Sequence, residues 1–537
     1  NVFSAGGFLF RDFYMRRGIF GLTFTLMPVS RRYIMDQLLN LDPNKSMGLD
    51  ELPARFLKDA AVHIVDPVSH IINMSIMTES VPSGFKRARV RPIYKKGSKL
   101  EPGNYRPVSI LSVLSKVLER SVQGQLANYL GSKGLLYGSQ SGFRDKYSTD
   151  TCLLDLTDFI KGEFTKGNLV GMILIDLQKA FDTVDHGILL KKLSVMGVTS
   201  IDWFSSYLFD REQCVGIGGT TSGFLGVNCG VPQGSILGPL LFLCYVNDMS
   251  ISLRCRLALY ADDSALIFSG KNSGDIASFL STELESCRRW LIENKLSLHT
   301  GKTECVLFGS CRRLKTAGEF IITLGGEVIQ RVTSVKYLGV LLDQNLNGRE
   351  HALGSIKKAL GRIAFLYRKA SMLDTYARKI LCSALIQPCL DYCSSSWYSG
   401  LTVNLKNRLD VIQRKMVRYV LNRQARDHVG NSDLKSLSWL TIPDRVKYFK
   451  IIHAHKIFSG MAPSYLLGRF IKTRRVHGHH TRGSEFNFHV RNSGGSMGTS
   501  FAVTAVGAWN SLPDSLKACG NLVDFKRKVK GFLAALY

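Results

Sequence analysis

At 537 residues, with 45% hydrophobic and 21% charged residues, the chain has globular composition and room for more than one domain, which excludes a wholly disordered polypeptide. Lys and Arg number 70 against 42 Asp and Glu, a formal excess of 28 positive charges. That excess points to a polyanion as partner, most simply nucleic acid, since the basic residues run along the whole chain and not on one amphipathic membrane-surface helix.

The chain starts at Asn1, and residues 1–23 form a leader without a clear period. The apolar run Gly18 to Val29 is shorter than the ~20 residues a membrane span needs, and no membrane is expected. A signal-peptide core after Arg16 and Arg17 fits by length alone. From Ser30 onward Ile34, Leu38 and Leu39 form a helical stripe, and a second amphipathic helix runs through Leu57, Ala61, Ile64, Val68 and Ile72. Between Phe85 and Gly97 basic and apolar residues alternate, which predicts a strand with one cationic face; Asn104 to Ser109 then lead into a helix over about Ile110 to Leu126.

Leu169 to Ile175 is too short for a globular helix and reads as a buried strand ending at Asp176. Gly230 to Gly238 carries Pro232 and is followed by Pro239, so it is a loop entering a helix at Leu240 to Val246. Its glycines let the backbone approach a ligand, but GK[ST] does not close it, which excludes a Walker A ATPase. Leu257 to Tyr260 and Ala265 to Phe268 flank Asp262 and Asp263, giving a hairpin with two aspartates at its turn. A helix follows over Ser278 to Asn294. From about Asn347 the period is helical, with Lys357, Lys358, Arg362, Arg368 and Lys369 off the apolar face, continuing through Leu385 and Val411 to Val420. Residues 431–537 are basic. Four histidines from His477 to His489 lack a framing Cys or Asp, so that stretch reads as a mobile basic loop. Twelve cysteines with no CxxC pair and no zinc-knuckle spacing read as reduced intracellular thiols.

Asp turns are common, so the hairpin gains meaning only from Asp176. A carboxylate at the end of a core strand costs desolvation unless a cation or partner meets it. If that strand lies beside the hairpin, three carboxylates converge, and like charges so close call for a divalent ion. Oxygen ligands suit Mg²⁺, and two such ions about 4 Å apart would hold the attacking and leaving oxygens of an in-line phosphoryl transfer. The expected catalytic and metal-binding set is therefore Asp176, Asp262 and Asp263, with two Mg²⁺ ions and Mn²⁺ as the alternative.

Three stretches in order, Asp176-Leu177-Gln178-Lys179-Ala180-Phe181-Asp182, Gly230-Val231-Pro232-Gln233-Gly234-Ser235-Ile236-Leu237-Gly238-Pro239 and Tyr260-Ala261-Asp262-Asp263, resemble the successive palm motifs of reverse transcriptases, in the wording of non-LTR (LINE-like) retrotransposons. The likeness spans roughly residues 24 to 345 and continues more weakly beyond. It implies an α+β right-hand polymerase, with an antiparallel-sheet palm and a mostly helical thumb and C-terminal region. The implied domains are a leader (1–23), N-terminal segment and fingers (24–165), palm (166–345), thumb (346–430) and C-terminal basic region (431–537).

By the same resemblance, Lys95 and Arg106 match fingers cations on the incoming nucleotide's phosphates, with Lys96 adjacent and able to replace Lys95. Phe181 matches a gate whose ring would clash with a ribose 2′-hydroxyl, and Gln233 a contact to nucleotide or template base. Lys302 matches a lysine that protonates departing pyrophosphate. His299 stands where relatives commonly have Asn. Gln140 to Arg144, with Ser148 and Thr149, matches a motif near the template, and Val335 to Asp343 the primer-grip hairpin. Asp185 and His186 read as a turn or helix-start feature.

The expected partners are an RNA template, a DNA primer or target DNA, and dNTPs. The expected location is intracellular, in nucleus and cytoplasm as a ribonucleoprotein. Nicking a chromosomal target needs an endonuclease, and none is read in this chain; whether a nuclease domain was lost upstream with the missing start is left open by the sequence. A group II intron maturase-like reverse transcriptase and a catalytically silent remnant that binds nucleic acid are the alternatives.

Overall fold

The run Leu169–Ile175 is a strand, and only Leu174 in it is not fully buried, as an uncharged run covered on both faces should be. In the computed structural model, which describes residues 21, 23–473, 486–489 and 495–536, it lies at the centre of a five-stranded sheet. Strands Asp263–Gly270 and Glu304–Phe308 flank it antiparallel, Arg256–Tyr260 pairs outside the first, and Gln330–Arg331 pairs parallel outside the second. Gly171 lets the helix Ser273–Glu293 cross close by: a Cβ there would lie 2.5 Å from Ile276 and 2.7 Å from Leu280. Val170 and Met172 instead join a cluster with Leu153, Leu156 and Ile160 of the helix Thr149–Thr165.

The described residues divide into two compact units that alternate along the chain. The sheet above belongs to the unit made of Arg144–Ile175, Cys255–Thr282 and Lys302–Tyr537. Its helices Arg349–Tyr367 and Val403–Val420 extend the same apolar cluster through Ile356, Ile363, Leu409 and Met416. Past residue 431, helices Ile442–Phe458, Phe501–Asn510 and Leu522–Ala534 enclose an aromatic core in which Phe458 stacks on Phe488 at 3.7 Å and His455 on Phe525 at 4.0 Å.

One face of the helix Thr149–Thr165 binds this C-terminal part through charge. Asp155 accepts from Arg256 and Arg469, fully buried Asp158 accepts from the backbone N–H groups of Phe501 (2.7 Å) and Ala502 (2.8 Å), and Lys161 Nζ donates to the Thr499 carbonyl at 3.1 Å. Spacing of three residues puts them on one side of a helix. A buried carboxylate is tolerated here because two helix N-terminal amides and nearby cations meet it.

The other unit comprises Asn1–Phe143, Asp176–Arg254 and Glu283–Gly301. Its sheet runs Tyr105–Ile110, Arg87–Tyr94, Arg211–Ile217, Thr220–Thr221, with Leu225–Val227 also paired to Arg211–Ile217; Arg87–Tyr94 and Arg211–Ile217 are parallel. The second N-terminal helix expected through Leu57 to Ile72 is two helices, Ala54–Asp59 and Ala61–Met77. Ala60, at φ −85° and ψ 2°, leaves helical geometry between them. The helix expected from Ile110 begins at Val113 and reaches Ser132, because Tyr105–Ile110 is taken up by strand pairing.

The leader expectation falls almost wholly on residues 1–20 and 22, and most of the histidine-rich stretch on 474–485 and 490–494; both lie outside the described residues. No described helix is long and apolar enough to cross a membrane.

Lys450, in the helix Ile442–Phe458, is buried with its Nζ on Ser399 Oγ at 2.5 Å. Burial, helped by the neighbouring Lys161 charge, pulls its ammonium down to about 7. The unfolded chain holds that proton up to pH ~10.4, so stability rises as pH climbs from about 7 towards 10. Lys450→Met is therefore expected to stabilise the protein, by about 1–3 kcal/mol more at pH 6 than at pH 9, in paired denaturant unfolding curves.

Candidate active site

Leu257, Leu259, Ala265, Leu266 and Ile267 anchor the aspartate hairpin in the core, while Asp262 and Asp263 are exposed. Tyr260 pairs with Asp263, leaving Ala261 and Asp262 as a two-residue loop. Ala261 takes φ +57°, a region L-residues enter at a cost of about 1–2 kcal/mol, so the turn is held in place by its two strands. The central strand's last pair is Ile175 with Ser264, the residue after Asp263, and the chain passes from Ile175 into Asp176. Lys302 is exposed just ahead of the strand Glu304–Phe308.

The hairpin expected at Val335 to Asp343 forms from Ser334–Tyr337 and Val340–Asp343. Sequence reasoning missed the work of its last residue. Asp343 accepts from the N–H groups of Asn347 (3.0 Å) and Gly348 (2.9 Å) and so fixes the start of the helix Arg349–Tyr367.

In the other unit the Asp176 carbonyl accepts from the His299 N–H at 2.8 Å and Gln178 N–H donates to Ser297 at 2.9 Å, so the backbone that bears this carboxylate is pinned on both sides. His299 acts here through its main chain. Phe181 stacks on Phe242 at 4.3 Å and meets Phe143 edge-on at 6.1 Å. Its carbonyl accepts from Val231 N–H at 2.8 Å, which joins it to the glycine-rich loop.

In that loop Gln233 Nε2 donates to Asp182 Oδ1 at 2.8 Å, and the Gln233 carbonyl accepts from Ser109 N–H at 2.7 Å. Burial holds the Asp182 carboxyl above its ordinary range, against the Gln233 hydrogen bond. Ser109 lies on the strand that carries Arg106, which faces Ile93 across the hairpin; Lys95 N–H bonds the Asn104 carbonyl at 2.9 Å. Both cationic side chains are exposed.

Asp185 caps the helix His186–Val195 by accepting from Ile188 N–H at 2.9 Å and pairs with Lys295 at 2.6 Å. Burial raises its carboxyl, but Lys295 and the amides bring it below the ordinary value. His186 Nε2 lies 2.8 Å from the Gly230 carbonyl. This pair is the helix-start feature expected from its residues.

A family model described as reverse transcriptase (RNA-dependent DNA polymerase) matches residues 93–342, which takes in the Arg106 hairpin, the glycine-rich loop and the aspartate hairpin. Over residues 93–342 the chain is similar to reverse transcriptases. Similar proteins include one named "Probable RNA-directed DNA polymerase from transposon BS" of Drosophila melanogaster, 28% identical over 74% of this chain and 45% of that protein. Another is the RNA-directed DNA polymerase from mobile element jockey of Drosophila funebris, 26% identical over 73% of this chain and 44% of that protein. A third is the Pol polyprotein from retrotransposable element R1 of Bradysia coprophila, 25% identical over 68% and 37%. The chain spans about half the length, or less, of these relatives.

Among the described residues no group of three or more His, Cys, Asp or Glu is gathered into a metal-holding cluster. At the hairpin turn Asp262 and Asp263 are two exposed carboxylates, hard oxygen donors of the kind that suits Mg²⁺ when water and phosphate complete its shell.

Gly234, at φ +120°, sits where a Cβ would be 2.5 Å from the Ser109 carbonyl. Gly234→Ala is expected to destabilise the protein by about 2 kcal/mol or more in chemical unfolding, since strain and overpacking act together.

Proposed function

We propose that the chain is an RNA-directed DNA polymerase of a non-LTR retrotransposon, adding dNTPs to a primer 3′-hydroxyl. The observation that carries this reading is the match to reverse transcriptases over residues 93–342, with the aspartate hairpin paired at Ser264 to Ile175, the last residue of the strand before Asp176. In this proposal the molecule is a right-hand polymerase: fingers within 24–165, palm within 166–345 and helical thumb within 346–430. The template is RNA, the primer DNA or a target DNA, and the work is done as a ribonucleoprotein in nucleus and cytoplasm.

Asp176 and Asp262, supported by Asp263, are the residues that would hold two Mg²⁺ ions. When bound, these supply Lewis-acid activation of the primer hydroxyl and neutralise charge on the reacting phosphate. The protein's own groups do the rest. Arg106 and Lys95 steady the triphosphate; a guanidinium forks onto two phosphate oxygens, which a lysine cannot do. Phe181, fixed by Phe242 and the loop, presents a ring against the sugar and selects dNTP over NTP. Gln233 contacts the nucleotide or template base, and Lys302 protonates departing pyrophosphate. Lys and Arg on the helices after 349 meet the duplex backbone without reading sequence.

Primer extension on a poly(A) template with an oligo(dT) primer, dTTP and Mg²⁺ tests the reading. The purified chain is expected to synthesise DNA, and Asp262→Ala/Asp263→Ala to lose at least about 10³-fold, the scale of losing several kcal/mol of charge stabilisation. An inactive wild-type chain that still binds duplex in a salt-sensitive way would instead mark a silent nucleic-acid binder. Phe181→Val should narrow the preference for dTTP over UTP by about 10–100-fold in kcat/KM, the scale of one steric exclusion.

A further inference from the structure

Glu119 lies in the apolar helix Val113–Ser132, where Val117, Leu118 and Val122 are also buried, and is itself 2% exposed. Burying a carboxylate costs several kcal/mol unless hydrogen bonds and charge meet it. Here Oε2 accepts from the backbone N–H of Ile236 and, at 3.3 Å, from that of Leu237, while Oε1 accepts from the Tyr207 hydroxyl at 3.2 Å. Arg211, whose Nη1 donates to the Tyr207 carbonyl at 2.9 Å, supplies the countercharge. Ile236 and Leu237 are the last loop residues before the helix Gly238–Val246, so one carboxylate takes up two amides at that helix start.

The loop that this anchor ends reaches the residues proposed above to meet the nucleotide. Gln233 is three residues upstream of Ile236; its carbonyl holds Ser109 N–H at 2.7 Å, and Ser109 is three residues beyond Arg106. At the other end of the loop, Gly230 N–H donates to Val184 at 2.7 Å and Val231 N–H to Phe181 at 2.8 Å. The loop is thus a bridge with Phe181 at one end, Gln233 and the Arg106 strand in the middle, and Glu119 at the far end.

We infer that Glu119 is a positioning residue for the incoming nucleotide, setting the placement of Gln233 and, through the Ser109 bond, of Arg106, without touching the nucleotide itself. The inference rests on the polymerase reading above. Oε2 takes main-chain amides, which residues 236 and 237 present whatever their side chains, while Oε1 takes the Tyr207 hydroxyl.

The test compares Glu119→Ala and Glu119→Gln with wild type in steady-state primer extension, with template–primer affinity by filter binding and melting temperature alongside. Glu119→Ala leaves two amides and a hydroxyl without their acceptor and should raise the KM for dTTP about 10–100-fold while changing kcat and duplex affinity less than about threefold. Glu119→Gln keeps a carbonyl oxygen for the amides, and Tyr207 Oη can accept from the carboxamide, so it should recover KM to within about threefold of wild type. An active wild type with unchanged dTTP KM in Glu119→Ala overturns the inference. So does a parallel loss of KM, kcat and duplex affinity, or loss of fold in both variants, since each would make Glu119 only a core carboxylate. An inactive wild type would overturn the polymerase reading first, and is told apart because it precedes any comparison of variants.

Discussion

The structure depends on keeping one uncharged strand dry. Leu169–Ile175 offers no polar side chain to water, so both its faces must be covered and both its edges paired. Gly171 admits a helix on one face, Val170 and Met172 meet another helix on the opposite one, and the register with Asp263–Gly270 follows residue by residue from Leu169 to Ile175. A slip of one position would turn Met172 away from its cluster, so the register is fixed by burial. The two exposed aspartates owe their position to that register.

Each unit solves the burial of charge in its own way. Around the central sheet, one helix face carries Asp155, Asp158 and Lys161, each met by arginine, amide or carbonyl. In the other unit Lys192 and Asp248 pair at 2.6 Å, both nearly inaccessible, and Glu119 takes backbone amides. Such groups add little net stability over apolar replacements, but breaking one side of them is costly.

The elements nearest the proposed chemistry were the most legible. The strand to Ile175, the hairpin around Asp262 and Asp263, the loop into the helix at Gly238 and the pair of strands at Val335 to Asp343 all have short-range signals, either apolar runs bounded by turn residues or glycine with proline. The break at Ala60 had none, since alanine is a good helix former. The roles of Glu119, Asp182 and Asp343 were equally hidden. Glu119 and Asp182 act on groups far along the chain, and although Asp343 acts only four and five residues ahead, no local pattern separates such acceptors from a solvated carboxylate. A charge inside an apolar helical stripe, as at Glu119, was the one available hint.

The bond from Asp158 to Phe501 joins residues 343 positions apart. A ribosome adding roughly 5–20 residues per second would need on the order of 20–70 s to cover that distance, long after the central strand has emerged. During that interval the helix that covers the strand holds a buried-to-be carboxylate with its amide partners still unmade. The sheet can assemble early, yet its cover is not locked until Phe501 and Ala502 have been made. Order of synthesis thus places completion of this core well after assembly of the sheet it covers.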